Sequence, residues 1–260
     1  MATIYLKPDK ISTHAVCKKT LTIHEKIIPD HLKAPHDIAA WVKKGQAMKP
    51  CAPLGGDGKP RGITVHNTGD IKVAPETTPA EQYTRATYNG NMAGVVVHFY
   101  VWRGVIWQNL KLSERGWHAG DGTKRRAGRR PGQLIGGNLD TIAIEAIGPH
   151  DETTATTALL CAWLCKQFGL DPSIDVWQHA DFAVKNCPEY IRPRWSEFLL
   201  AIKNCPAEQT PAPAPKPEPK PEPKPEPKPE PKPEPEPEQP PALNWLAKIL
   251  SRLLAQLTKQ

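Results

Sequence analysis

The sequence contains no long apolar run, since no segment approaches the roughly 18 consecutive apolar residues of a membrane-spanning helix. Its first residues, MATIYLKPDK, also lack the apolar core of a signal peptide. Six cysteines in a chain of 260 residues do not form the disulfide framework of a small secreted domain. We therefore expect a protein that is made in the cytoplasm without an export signal.

Proline is plentiful but unevenly distributed. Seventeen of the 30 prolines fall between positions 206 and 241, largely within a repeated Lys-Pro-Glu-Pro. Proline at every second position favours extended polyproline II and prevents packing into a helix or sheet, so residues 206–241 are predicted to be a disordered linker. Fully extended, this linker would span on the order of 100 Å. The first 205 residues keep the composition of a globular protein.

Residues 242–260 are predicted to form an amphipathic helix. Their large apolar side chains recur at steps of three and four residues, and the opposite face carries Lys and Arg but no acid. The apolar face must be covered by a membrane surface, by a second copy of the helix or by the globular part of the chain. A basic helix rich in Trp and Leu favours the membrane surface, with self-association as the alternative.

The formal net charge of +7 resides in the first 205 residues, because the acidic linker and the basic tail cancel. A basic domain suits an anionic polymer such as nucleic acid, teichoic acid or the carboxylates of cell-wall stem peptides. No basic stripe is interleaved with aromatic residues, so we expect no nucleic-acid partner. The basic run from Lys124 to Arg130 lies in a Gly-rich stretch and is interpreted as a solvated loop.

Strand and helix patterns alternate in residues 61–205, which predicts an α/β domain with a central mixed sheet flanked by helices. Residues 1–60 are predicted to be an extension that packs on this domain or precedes it. A hairpin turn is expected at Arg103-Gly104. In the strand that ends at Ile147, Ile142 and Ile144 should occupy one face and Ala143 and Glu145 the other. Strands are expected at 63–65 and 139–147, and residues 94–107 should form two strands joined by the turn at Arg103-Gly104. Helices are expected at 79–89, 153–168 and 194–204.

Three side chains are suited to binding a metal ion. His66 ends a short apolar strand. His179 and Cys187 lie in a polar segment, with seven residues between them. Two imidazoles and a thiolate can hold tetrahedral zinc and leave its fourth position open for water. The spacing alone leaves ordinary structural histidines as the alternative.

Five short motifs give the chain a resemblance to a known family. HNT follows the strand that carries His66, and HF, WHAG, IAIEAIG and H-seven-residues-C-P follow it along the chain. In this order and at these intervals they resemble the zinc N-acetylmuramoyl-L-alanine amidases of the type-2 amidase and peptidoglycan-recognition-protein superfamily. The similarity covers residues 63–202 and is strongest to phage and prophage endolysins.

The resemblance implies a role for several residues. It implies that His66, His179 and Cys187 bind zinc, that Glu145 is the catalytic carboxylate and that Lys185 assists catalysis. A carboxylate within an apolar strand is costly to bury without a partner or a task, which supports the choice of Glu145. The same resemblance places Trp117, His118 and Asn67 at the substrate groove, and His98 is expected to be packed or to support the ligands.

The expected activity is hydrolysis of the amide bond between N-acetylmuramic acid and L-alanine of bacterial peptidoglycan by zinc-activated water. The expected setting is host cell lysis by a phage or prophage endolysin that acts on the wall after release. Two alternatives remain open: a recognition protein that binds peptidoglycan without cutting it, and a cytoplasmic wall-recycling amidase. All three ligand positions carry a residue that can bind zinc, which disfavours a recognition protein. The long linker disfavours a wall-recycling amidase.

Overall fold

A computed structural model describes residues 6–29, 52–89, 92 and 94–205. The predicted linker at 206–241 and the predicted amphipathic helix at 242–260 lie outside the described residues. Among the helices that are described, none combines the length and hydropathy needed to cross a membrane.

Within the described residues, seven strands form one mixed sheet: β1 (Lys10–Val16), β2 (Lys19–Glu25), β3 (Gly62–Thr68), β4 (Phe99–Trp102), β5 (Val105–Gln108), β8 (Thr141–Ile147) and β9 (Val176–Gln178). Their order in the sheet is β1-β2-β5-β4-β8-β3-β9. The β1–β2 and β4–β5 pairs are antiparallel, whereas β2–β5, β4–β8, β8–β3 and β3–β9 are parallel. The prediction of a mixed central sheet is therefore confirmed. A separate hairpin consists of β6 (Arg126–Ala127) and β7 (Leu134–Ile135).

Helices cover both faces of the sheet. On one face, α3 packs with α5 over a core that includes Ile142 and Ile144 of β8. On the other face, α1 packs over a smaller core that includes Ala143 and Ile147. The alternation predicted for β8 is confirmed, because successive side chains of a strand point to opposite faces. The helices are α1 (Pro79–Tyr88), α2 (Gly137–Asp140), α3 (Asp151–Phe168), α4 (Pro172–Asp175) and α5 (Trp195–Lys203), with 3-10 turns at Leu54–Gly56, His179–Asp181 and Arg192–Arg194.

Local sequence signals explain where these elements begin and end. Thr78 caps α1 by accepting a hydrogen bond from the Glu81 amide, and Pro79 fills the first helical position, where no amide hydrogen is needed. Gly169 ends α3 with a left-handed φ of 65°. The turn between β4 and β5 places Arg103 and Gly104 at φ of 40° and 85°, which confirms the predicted hairpin.

The described part of residues 1–60 continues the central sheet rather than forming a separate layer. Strand β1 was not predicted, and β2 extends the sheet by pairing in parallel with β5 through Ile23 and Ile106. The sequence interpretation of the cysteines missed a disulfide between Cys17 and Cys205, whose Cα atoms lie 4.9 Å apart. Since 188 positions separate the two cysteines, no local pattern could reveal their pairing. The bond ties the β1–β2 turn to the end of α5.

The basic run is exposed, as the interpretation of a solvated loop requires, but its arginines are not free of partners. The run contributes β6 to the β6–β7 hairpin, and three of its arginines make ion pairs with aspartates: Arg125 with Asp140, Arg129 with Asp181 and Arg130 with Asp175. The side chains of Asp140 and Asp175 are fully buried, so each arginine compensates a carboxylate that would otherwise be costly to bury. These contacts hold the hairpin against the strands and turns beside β9.

Candidate functional site

Three adjacent parallel strands place several of the predicted site residues next to one another. His66 on β3 is the direct register partner of Glu145 on β8. On the other side of β3, Val65 pairs with Gln178 of β9, so His179 emerges next to His66. The carboxyl ends of these strands therefore place two imidazoles and a carboxylate side by side, on the face opposite to α3 and α5.

The predicted ligands His66, His179 and Cys187 lie together. One nitrogen of each imidazole and the Cys187 sulfur all lie within 4.8 Å of one another, and the two Nδ1 atoms are 2.9 Å apart. Ligand atoms around tetrahedral zinc are separated by about 3.3–3.7 Å, given bonds of about 2.0–2.3 Å. The donor set and its spacing therefore suit a zinc ion, and these three residues form a possible metal site.

Burial keeps the two imidazoles of this site neutral. It lowers the pKa of His66 well below the ordinary value, and the neighbouring His118, His179 and Lys185 lower it further. Burial likewise lowers the pKa of His179 to about 4, with a smaller contribution from the Lys185 charge. A neutral imidazole has a free lone pair, which is the form that binds a metal ion.

Cys187 is positioned by the backbone around it. The Ala180 amide donates to the Cys187 carbonyl at 2.8 Å, which closes the segment between the two ligands. The Asn67 amide donates to the Cys187 sulfur at 3.4 Å. Burial raises the pKa of this thiol to about 11. Binding of a metal ion therefore requires the thiol to lose its proton.

Glu145 is a half-buried carboxylate beside the ligands. Its Oε1 atom lies 4.0 Å from Nδ1 of His66. Among the residues that the structure describes, its buried Oε2 atom is one of the few side-chain oxygens without a hydrogen-bond partner. Burial raises the pKa of Glu145 to about 8, and the positive charge of Lys185 opposes this rise. A carboxyl group that titrates near neutrality can both accept and donate a proton.

Lys185 is an exposed residue in the segment between His179 and Cys187. Its charge lowers the pKa of His66, His179, Glu145 and Cys187, so it acts on the whole group through space. The structure thus brings Lys185 to the edge of the site, as the sequence indicated, without a direct contact to the ligands.

A family model described as N-acetylmuramoyl-L-alanine amidase matches residues 56–190 of this chain. The chain belongs to this family. The predicted resemblance is therefore confirmed, and the match includes all five residues discussed above.

Curated relatives of this chain come from Bacillus subtilis (strain 168). It is 31% identical to N-acetylmuramoyl-L-alanine amidase CwlH over 160 residues, which cover 59% of this chain and 58% of CwlH. It is 29% identical to N-acetylmuramoyl-L-alanine amidase XlyA over 143 residues, which cover 54% of this chain and 43% of XlyA. The chain thus spans about half the length of these two relatives.

The fold is similar to that of a solved amidase domain. The structure of the catalytic domain of XlyA matches with a TM-score of 0.52 and 26% identity, covering 69% of this chain and 98% of that domain. A mutant endolysin from Bacillus subtilis matches with the same TM-score and 27% identity, covering 69% of this chain and 97% of that one. The predicted type-2 amidase fold is confirmed.

The structure places His118 differently from the sequence prediction. We expected it to shape the substrate groove together with Trp117, and the structure shows instead a direct contact with a proposed ligand: His118 is 7% exposed and its Nδ1 atom lies 2.9 Å from Nε2 of His66. The side-chain oxygen of Asn138 accepts from the backbone amides of His118 and Ala119 at 2.7 and 2.8 Å, which fixes this position. The importance of Asn138 was missed, because no sequence pattern linked it to the WHAG motif.

The predicted groove residue Asn67 has a structural role instead. Its side-chain nitrogen donates to the Ala146 carbonyl at 2.9 Å, and its side-chain oxygen accepts from the amides of Tyr190 and Ile191 at 3.0 and 3.3 Å. These contacts tie the end of β3 to the segment that follows Cys187. They occupy the oxygen and one N–H group of the side-chain amide, so contact of Asn67 with substrate stays a prediction that rests on the other N–H group.

The structure leaves Trp117 as a groove candidate. The Trp117 side chain is half-buried, and its backbone forms an isolated bridge with Val96. The bridge consists of two hydrogen bonds, of 3.0 and 2.8 Å. Contact of this partly exposed side chain with substrate stays a prediction.

Proposed function

We propose that this chain hydrolyses the amide bond between N-acetylmuramic acid and L-alanine in bacterial peptidoglycan. One observation carries the proposal: three potential zinc ligands converge beside a half-buried carboxylate, Glu145, whose residue is the register partner of the ligand His66. Family membership supplies the bond that this arrangement would cut. The curated relatives carry this activity in their names.

We propose zinc as the cofactor, held by His66, His179 and Cys187. When bound, zinc lowers the pKa of a coordinated water towards 7 and polarises a carbonyl oxygen. The buried neutral imidazoles and the Cys187 thiol are a donor set that zinc prefers. Three protein ligands leave a position for water, as hydrolysis requires.

Glu145 is proposed as the general base and then the general acid. Its carboxyl group lies beside His66, and its free Oε2 atom has no protein partner to compete for a proton. A pKa raised to about 8 by burial allows it to take a proton from water and return it to the leaving amine near neutral pH. General acid–base catalysis of this kind contributes roughly a hundred- to ten-thousand-fold in rate.

Lys185 is proposed to stabilise the negative charge that develops on the carbonyl oxygen of the scissile amide. Its charge already influences all four neighbouring groups of the site. A positive charge that is present before the reaction needs no rearrangement when the oxygen becomes negative. The exposed ammonium also remains free to approach a bound polymer.

The complete set of catalytic groups favours an enzyme over a recognition protein. A protein that only binds peptidoglycan does not need an open metal position or a half-buried carboxylate with a free oxygen. A wall-recycling amidase would act on soluble fragments, for which the long Lys-Pro-Glu-Pro linker serves no purpose.

We further propose that the chain acts on the cell wall after release from the cytoplasm, as a phage or prophage endolysin in host lysis. The likeness to the catalytic domain of XlyA and to an endolysin from Bacillus subtilis supports this setting. The amphipathic segment 242–260 would then hold the enzyme at a membrane surface or join two copies.

The function is tested by digesting purified peptidoglycan and analysing the products by mass spectrometry. The expected products are glycan strands freed of peptide and peptides with a new amino-terminal L-alanine. A chelator should stop the reaction, and added zinc should restore it. Cleavage at a sugar linkage, or within the stem peptide, would refute the proposal.

A further inference from the structure

A cleft with a volume of about 530 Å³ opens beside the proposed metal site. We call it the basic cleft. Its floor is the segment that joins His179 to Cys187, and its wall includes the β6–β7 hairpin. The residues that line it are Arg126, Ala180, Phe182, Ala183, Val184, Lys185, Asn186 and Arg192.

The charges of the basic cleft are all of one sign. Arg126, Lys185 and Arg192 line it, and none of its lining residues is an aspartate or a glutamate. Elsewhere on the same hairpin, Arg125, Arg129 and Arg130 are neutralised by aspartates. Arg126 differs from these neighbours, because it lines the cleft and has no carboxylate within ion-pair distance among the described residues. Burial raises the pKa of the nearby acid Asp121, and the Arg126 charge opposes this rise through space.

The two arginines of the cleft are held in place but keep free donors. Arg126 donates a hydrogen bond from Nη2 to the Phe182 carbonyl oxygen at 3.1 Å, and the Arg126 guanidinium lies 5.6 Å from the centre of the Phe182 ring. Arg192 donates from Nη1 to the side-chain oxygen of Asn186 at 3.1 Å. Since a guanidinium has five N–H groups, each arginine can still bind a carboxylate through two of them.

The basic cleft is continuous with the chemistry of the proposed site. Ala180 follows the ligand His179, and Asn186 precedes the ligand Cys187. Lys185 both lines the cleft and acts electrostatically on Glu145. A substrate whose scissile amide lies at the metal ligands could therefore extend its next residues along the basic cleft.

We propose that the basic cleft binds free carboxylate groups of the stem peptide, with Arg126 and Arg192 as specificity-determining residues. This inference rests on the proposed function. A guanidinium binds a planar carboxylate through two parallel hydrogen bonds, whereas a neutral amide offers only one acceptor oxygen and carries no charge. The enzyme should therefore prefer stem peptides with free carboxylates over the same peptides in amidated form.

The test compares two soluble muropeptides that differ only by amidation of the side-branch carboxylates. For the wild-type protein, kcat/KM should be about tenfold higher for the free acid, the size of effect expected from one charge-assisted contact. R126Q and R192Q should each bring this ratio towards one, mainly by raising KM for the free acid. K203Q removes the same charge from an exposed position at the end of α5, outside the cleft, and should keep the wild-type ratio.

Each outcome separates the two proposals. If neither muropeptide is cleaved, the proposed function itself fails. If both are cleaved at the same rate by the wild-type protein, the amidase survives and the basic cleft is not a carboxylate site. If R126Q and R192Q slow both substrates equally, the arginines support the fold rather than selectivity, and the proposal is overturned as well.

Discussion

Nδ1 of His118 lies 2.9 Å from Nε2 of His66, so one imidazole is hydrogen-bonded to another behind the proposed metal site. Nδ1 of His66 faces His179 and Glu145. If that nitrogen binds the metal, Nε2 of His66 must carry the proton and donate it to His118. Partners of this kind fix the tautomer and the ring orientation of a ligand.

His118→Leu is expected to weaken zinc binding by roughly ten- to a hundredfold, because Leu cannot accept the hydrogen bond from His66. His118→Gln retains an acceptor oxygen and should recover part of the affinity. Competition with a chromophoric chelator measures both variants. Equal zinc affinity in His118→Leu and the wild-type protein would show that the contact does not orient the ligand.

Glu145→Ala and Cys187→Ala should fail in different ways. Glu145→Ala should keep stoichiometric zinc and lose on the order of a hundred- to ten-thousand-fold in turnover, because it removes the proton carrier. Cys187→Ala should lose the metal itself, because two imidazoles alone form an incomplete site. Metal content by elemental analysis, together with release of peptide from cell walls, separates the two. Full metal and full activity in both variants would refute the assignments.

The Cys17–Cys205 bond should stabilise the domain. Removing a cross-link that closes a long loop typically costs roughly 2–5 kcal/mol in the free energy of unfolding. The double variant Cys17→Ser/Cys205→Ser should unfold at lower denaturant concentration and become insensitive to reductant. Wild-type protein should fall to the same midpoint when reduced. A wild-type midpoint that reductant leaves unchanged would contradict this expectation.

His98 should make the fold sensitive to acid. It is packed, as predicted: its Nδ1 accepts from the Ala143 amide at 3.0 Å, and its Nε2 donates to the Glu114 carbonyl at 2.9 Å. Burial lowers its pKa from 6.5 to about 4. Between pH 4 and pH 6.5 the imidazole binds a proton more readily in the unfolded chain than in the folded one. The contribution of His98 to the free energy of unfolding is therefore complete above pH 6.5 and falls by roughly 3 kcal/mol as the pH approaches 4.

His98→Asn provides the measurement. Chemical denaturation of both proteins from pH 7 to pH 4 gives the difference in their free energies of unfolding, from which the other titrating groups cancel. The free energy of unfolding of the wild-type protein, relative to that of His98→Asn, should decrease by roughly 3 kcal/mol from pH 7 to pH 4. A difference that stays constant with pH would show that His98 does not carry the acid sensitivity.

Deletion of residues 242–260 should weaken lysis of whole cells without changing hydrolysis of soluble fragments. Because the predicted apolar face of this segment needs a partner, we expect the shortened protein to lyse whole cells less efficiently. Hydrolysis of soluble fragments should be unchanged, since the metal ligands and Glu145 lie elsewhere. A control that replaces only the basic residues of the segment tests attraction to anionic lipids. Equal loss in both assays would instead indicate an effect on the catalytic domain.

The strand pattern around Glu145 shows what the sequence could predict. Alternating apolar residues assigned Ile144 and Glu145 to opposite faces of β8 because the period of a strand is two residues, and the structure agrees. The register between Glu145 and His66 could not be derived in this way. It depends on two strands far apart in the chain becoming neighbours, and only the family resemblance indicated that these residues meet.

The contacts that the sequence did not indicate have the same physical origin. The ion pairs of Arg130 and Arg129 were missed because their partners, Asp175 and Asp181, lie 45 and 52 residues away. The contact between His118 and His66 was missed because the two residues are 52 positions apart. Long-range pairing of polar groups leaves no periodic signal, in contrast to the burial of an apolar face.

The cross-link between Cys17 and Cys205 has a topological consequence for the amidase domain. The peptide backbone and the disulfide together close a covalent ring that contains every proposed catalytic residue. A single proteolytic nick within this ring would open it without releasing either piece. In the proposed setting of host lysis, where proteases are released, the protein would thus survive one cut as a single molecule.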